Sequence, residues 1–127
     1  MANRDMYHNI SPVISLAPAA RTANEAGAAV DLAGFYGALV VIATGTITDG
    51  THTFVVEESA DGTNWAPVDD KELLGTEPVV EASDSNKAFR IGYLGDKRYI
   101  RVAVSVSGAS NGGVYSAVVL RGFPCHA

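Results

Sequence analysis

An antiparallel all-β fold is what the sequence predicts, and three observations predict it. Apolar, β-branched stretches recur from Val13 to Leu120. Clusters of glycine, aspartate and other turn formers separate them at short intervals. Only Asp69 to Leu74 (DDKELL) has the make-up of a helical turn, so the crossover helices that parallel strands require are missing.

The elements follow in order. Met1 to Pro12 is polar and mixed, with too little apolar surface to offset its own ordering, and is expected as an N-terminal arm (residues 1–12) ahead of a single domain (residues 13–127). Val13 to Ala17 reads as a short strand closed by Pro18, and Arg21 to Gly27 as a small-residue linker. Tyr36 to Thr44 (YGALVVIAT) is the most apolar stretch and is expected to be a strand buried on both faces. Asp49-Gly50 supplies the turn into Thr53 to Ser59, because Asp-Gly accepts the φ > 0 geometry of tight hairpins. Asp61-Gly62 makes the next turn, ahead of a short strand from Trp65 to Val68.

Gly75 stops the helical turn, with acidic residues at its N-terminal end as the helix dipole prefers. Pro78 to Ala82 is a short extended piece and Lys87 to Tyr93 a strand. From Arg98 to Ser107 the residues alternate: Ile100, Val102, Val104 and Val106 share one face, Arg101, Ala103 and Ser105 the other. A glycine-polar loop, Gly108 to Gly113, precedes the last strand, Val114 to Leu120. About eight strands at this spacing imply a β-sandwich, jelly-roll or immunoglobulin-like.

Composition narrows the function classes. The 127 residues suit one domain, and 47% hydrophobic with 18% charged residues describes a folded chain. A net charge of −5 argues against nucleic-acid binding through phosphates. No apolar run is long enough to span a bilayer, and the first residues lack the order of a signal peptide. The single cysteine, Cys125, excludes an internal disulfide and a multi-cysteine zinc site, and reads as a tolerated thiol.

No constellation points to catalysis, a metal or a cofactor. His8, His52 and His126 read as exposed polar residues, and no nucleophile elbow is present. Asp61 to Asn64 lacks the order of a calcium loop and is accounted for as a hairpin turn. Glu57-Glu58 and Asp69-Asp70 are adjacent pairs, and neighbours in a strand point to opposite faces. Trp65, straight after a turn, is expected in or at the edge of the core, with a sugar-binding platform as the alternative. Tyr36, Tyr93, Tyr99 and Tyr115 are too scattered in sequence to be grouped there.

Charge is segregated. Asp49 to Asp84 holds ten acidic residues and one basic, whereas Lys87 to Arg101 holds five basic and one acidic. Either neighbouring strands pair these charges across a sheet, or the surface is two-signed and meets a partner or further copies of itself. On the second reading Arg90, Lys97, Arg98 and Arg101 are the candidate interaction residues.

The segment from Phe54 to Val68 (FVVEESADGTNWAPV) resembles β-sandwich modules of the discoidin and carbohydrate-binding kind. It is also similar to small structural proteins encoded among tailed-bacteriophage head genes. Gly45-Thr-Ile-Thr-Asp-Gly50, the run Gly92 to Val102 (GYLGDKRYIRV) and Gly113 to Val118 extend the second likeness over roughly Asp31 to Pro124.

That resemblance implies a non-enzymatic virion protein, a capsid decoration or cement protein, made in the bacterial cytoplasm and placed on the capsid surface. Its partners would be the major capsid protein and further copies of itself, as a trimer or other homo-oligomer. No nucleic acid, membrane or cofactor is implied. The matched positions Asp49, Gly50, Asp61, Gly62 and Trp65 look like scaffold and turns rather than contacts. The alternatives are a carbohydrate-binding module and a head-tail connector or tail-associated protein of the same fold.

Overall fold

The computed structural model describes residues 6–124 and is all-β, two antiparallel sheets packed face to face. Its strands are β1 (Ile10–Arg21), β2 (Glu25–Ala26), β3 (Val30–Asp31), β4 (Phe35–Ile47), β5 (Thr51–Ser59), β6 (Ala66–Pro67), β7 (Leu73–Leu74), β8 (Val79–Val80), β9 (Ala88–Tyr93), β10 (Tyr99–Ser107) and β11 (Gly113–Pro124). The first sheet runs β1-β11-β4-β9-β7; the second runs β2-β10-β5-β6, with β3 also on β10 and β8 on β5. All eight expected strands are present. The other three, β2, β3 and β7, are two-residue bridges too short to leave a period in the sequence.

Period-2 alternation builds the core. Val40 and Ile42 of β4, Val56 of β5, Ile100 and Val102 of β10, and Ala117 and Val119 of β11 all point between the sheets and are out of contact with water. Phe54 and Tyr115 meet edge to face at 5.0 Å near the middle. A ring pair in this geometry adds to the stabilisation from burying its area.

Three expectations about boundaries are corrected. The first strand starts at Ile10 and passes through both Pro12 and Pro18 to Arg21. An edge strand tolerates proline because one row of its backbone groups faces away from the sheet. Bulges between Ile14 and Ala19 absorb the misfit against β11. The arm expected over residues 1–12 therefore loses Ile10 to Pro12 to the sheet, while residues 1–5 lie outside the described residues. Likewise the linker from Arg21 to Gly27 contributes β2 to the second sheet.

Arg21 holds the bulged end of β1. Its buried guanidinium donates to the carbonyls of Ala17 at 2.7 Å, Ala19 at 3.2 Å and Tyr115 at 2.9 Å, and pairs with Glu25 at 3.2 Å. Carbonyls that the irregular ladder leaves unmatched thus find a donor. Nearby, Ser15 ties the two sheets together: its hydroxyl donates to the Ala28 carbonyl and accepts the Val102 N–H.

A further correction, of burial rather than of boundary, concerns β4. Its even-numbered residues Val40, Ile42 and Thr44 are buried, but Leu39 and Val41 are only half-buried and Ala43 is exposed. One face of this apolar strand meets the second sheet, and no further layer covers the other among the described residues.

Candidate functional surface

The turns expected from Asp-Gly pairs are built by their aspartates. Gly62 has φ of 79°, where a side chain is disfavoured. Asp61 accepts N–H bonds from Thr63 at 2.8 Å and Asn64 at 2.9 Å, and a hydroxyl bond from Ser59 at 2.9 Å. These backbone donors hold its carboxyl well below the ordinary range. Asp49 does the same across two loops. Its carboxylate accepts the N–H groups of Gly112 at 2.6 Å and of Asn111 and Ser110 at 3.1 Å, which lowers its pKa and pins the Gly108–Gly113 loop to the hairpin at Gly50.

The structure does not gather the four candidate basic residues into one patch. Arg101 on β10 stands opposite Glu57 on β5, pairs with it at 2.8 Å, and lies 4.3 Å above the Trp65 ring. Trp65 is half-buried at the rim of the second sheet rather than in the core, with Arg101 over one face of its indole. Arg98 makes a two-pronged bond to Asp31, at 3.0 and 2.9 Å, and holds that carboxyl down to about 2. Lys97 and Arg98 flank a cavity of about 380 Å³ that Phe35, Tyr36 and Tyr93 also line. Arg90, by contrast, stands on the outer face of the first sheet and makes no ion pair among the described residues.

One ring expectation changes. His52 is fully buried, not exposed, because it falls on the same strand face as Phe54 and Val56. That spacing was visible in the sequence and is the signal that would have placed it. The tyrosines do not form a platform: Tyr115 is in the core, Tyr93 is buried with its hydroxyl donating to Glu58 at 2.7 Å, and Tyr36 is largely exposed. Burial pushes the Tyr115 hydroxyl up to about 12, so it stays protonated. Cys125 and His126 lie outside the described residues, and His8 is exposed. Among the described residues no group of three metal-ligating side chains converges, and no helix is long and apolar enough to cross a membrane.

The feature that sequence reasoning missed is the outer face of the first sheet. Cross-strand register aligns Leu74, Gly92, Leu39, Leu120 and Pro12 in one row across all five strands. The next row is Arg90, Val41, Val118 and Ile14, and the one after it Ala88, Ala43 and Ser116. Gly37, Gly122 and Ile10 form the row on the other side. None of these outward positions is acidic, and Arg90 is their one charge. Above the Leu39 row lies an open trough of about 840 Å³, walled by Leu39, Leu74 and Leu120 and rimmed by Met6, Tyr36 and Leu94. The corresponding face of the second sheet carries Thr53, Glu57, Arg101 and Ser105, with Val55, Ala103 and Val79 as its apolar positions between them. One side of the sandwich is therefore finished for water and the other is not. In comparison with known proteins, the chain matches no family model and no curated protein.

Proposed function

We propose that this chain is a non-enzymatic structural protein of a tailed-phage virion, a decoration or cement protein seated on the head and working as a homo-oligomer. The observation that carries the reading is the sidedness of the sandwich: a continuous apolar outer face on the first sheet and a polar, charge-paired one on the second. A cement protein needs such a body, one face against the shell and one toward solvent, and it needs no reacting groups. The likeness of the Phe54–Val68 and Gly92–Val102 segments to phage head proteins supports the same reading.

Quantitative mass spectrometry of purified particles from a phage carrying the gene tests it. The expected result is the chain in stoichiometric proportion to the major capsid protein. A handful of copies per particle would instead indicate a connector or tail component. Absence from particles, with binding to a polysaccharide that Trp65→Ala abolishes, would replace the virion reading by the carbohydrate-binding one.

A further inference from the structure

The rows of the first sheet's outer face extend over five strands at the widest and three at either end, and over about six residues along the central strands. At ~4.8 Å between strands and ~3.3 Å per residue, that is roughly 20 Å by 20 Å, or about 400 Å² in projection. That is about half of the ~800 Å² that each partner contributes to a standard protein interface, the size of a transient contact. Its rim is open: Leu74 is 59% exposed, Leu94 58% and Met6 67%. A small apolar ligand lying in the trough would leave these rims in water, whereas a protein surface broader than the trough would dry them and the neighbouring Ile14 together.

We infer that this face docks a different protein, which seats a large apolar side chain in the trough over Gly122 and sets a carboxylate against Arg90. The floor suits such an anchor. Gly122 leaves its position bare, and the nearest atom to a side chain built there is the Asn9 carbonyl oxygen at 3.9 Å. Leu39 and Leu120 stand in the next row as walls. Charge argues against a second copy in face-to-face contact: the same face of another copy carries no carboxylate to meet Arg90. A partner with an acidic residue facing Arg90 gains an ion pair that the surrounding apolar rows partly shield from water. The inference shares only the exposed face with the virion reading, and no virion enters its test.

The test selects a random dodecapeptide display library on the wild-type protein, since twelve extended residues reach roughly 40 Å and can span trough and Arg90 together. The expected winners combine a bulky apolar residue with Asp or Glu. Synthetic versions should lose at least tenfold in affinity against Gly122→Phe, which fills the trough from a regular strand position, and against Leu94→Asp on the exposed rim. Arg90→Glu should weaken them similarly, and circular dichroism should show all three variants folded. Failure of any sequence to enrich would overturn the inference. So would winners that bind wild type and both trough variants equally, or that ignore Arg90→Glu. A wild-type dimer in light scattering that Leu94→Asp converts to monomer would show that a second copy is the occupant instead.

Discussion

Tyr115 donates its phenolic hydrogen to Nδ1 of His52 at 2.9 Å, in a part of the core where neither residue meets water. The direction follows from the other ring nitrogen. Nε2 lies 3.1 Å from the Asp49 carbonyl oxygen, which can only accept, so Nε2 carries the hydrogen and Nδ1 is the acceptor. The ring is thereby satisfied at both nitrogens, linking β5, β11 and the Asp49 turn.

Tyr115→Phe keeps the ring packing on Phe54 but leaves Nδ1 of His52 buried without a donor. The expected loss is about 1–3 kcal/mol in urea unfolding, the cost of an unsatisfied buried acceptor. His52→Ala, which also opens a cavity, should cost more. Wild-type stability in Tyr115→Phe would show that the hydrogen bond contributes nothing net.

Gly27 sits where the two sheets close on each other. A Cβ there would lie 2.5 Å from the Ser15 hydroxyl, 2.6 Å from the Ser15 carbonyl oxygen and 2.7 Å from that of Val102. Two of these atoms are backbone and cannot rotate away. Gly27→Ala should therefore destabilise by about 1–3 kcal/mol through overpacking. Gly45→Ala, whose Cβ would meet Val114 at ordinary distances of 3.5–3.6 Å, should change little. Equal melting temperatures for the two variants would contradict this.

Trp65 at the rim predicts a moderate loss, not the larger one of a core tryptophan. Trp65→Ala removes partial burial and the stacking of Arg101, together about 1–2 kcal/mol. Denaturant titration of Trp65→Ala, Arg101→Ala and the double variant measures the coupling directly. A loss of 4 kcal/mol or more, on the order of a buried aromatic, would put the indole in the core after all.

Acid should destabilise the fold through its low-pKa aspartates. Asp31 falls from 3.8 to about 2 on account of Arg98 and the Ala33 N–H, and Asp49 and Asp61 are lowered by backbone donors. A carboxylate depressed in the folded state stabilises above its unfolded pKa, and that contribution is lost as pH falls through the folded value. The melting temperature should accordingly decline from about pH 4 downward, the Asp31 share between 3.8 and about 2. Asp61→Asn should flatten part of the slope. A profile level down to pH 2 would show that these bonds do not outlast unfolding any better than solvent does.

Local chemistry in the sequence determined the strands and turns. Alternating Ile100, Val102 and Val104, and the glycines at 50 and 62 that supply left-handed backbone, act over a few residues and can be read without knowing the rest of the chain. What period-2 spacing cannot state is which face of a strand a second layer will cover. Tyr36 to Thr44 is apolar on both faces, so sequence alone suggested burial on both, yet the second sheet packs on Val40 and Ile42 and leaves Leu39 and Val41 outside. The same holds for charge. Arg90, Arg98 and Arg101 lie within twelve positions of one another, but register with β5 gives Arg101 a carboxylate, contact with Asp31 gives Arg98 another, and Arg90 is set alone among leucines and valines. Pairing partners come from strands distant in sequence, and so the exposed apolar face and its single charge exist only once the sheets are assembled.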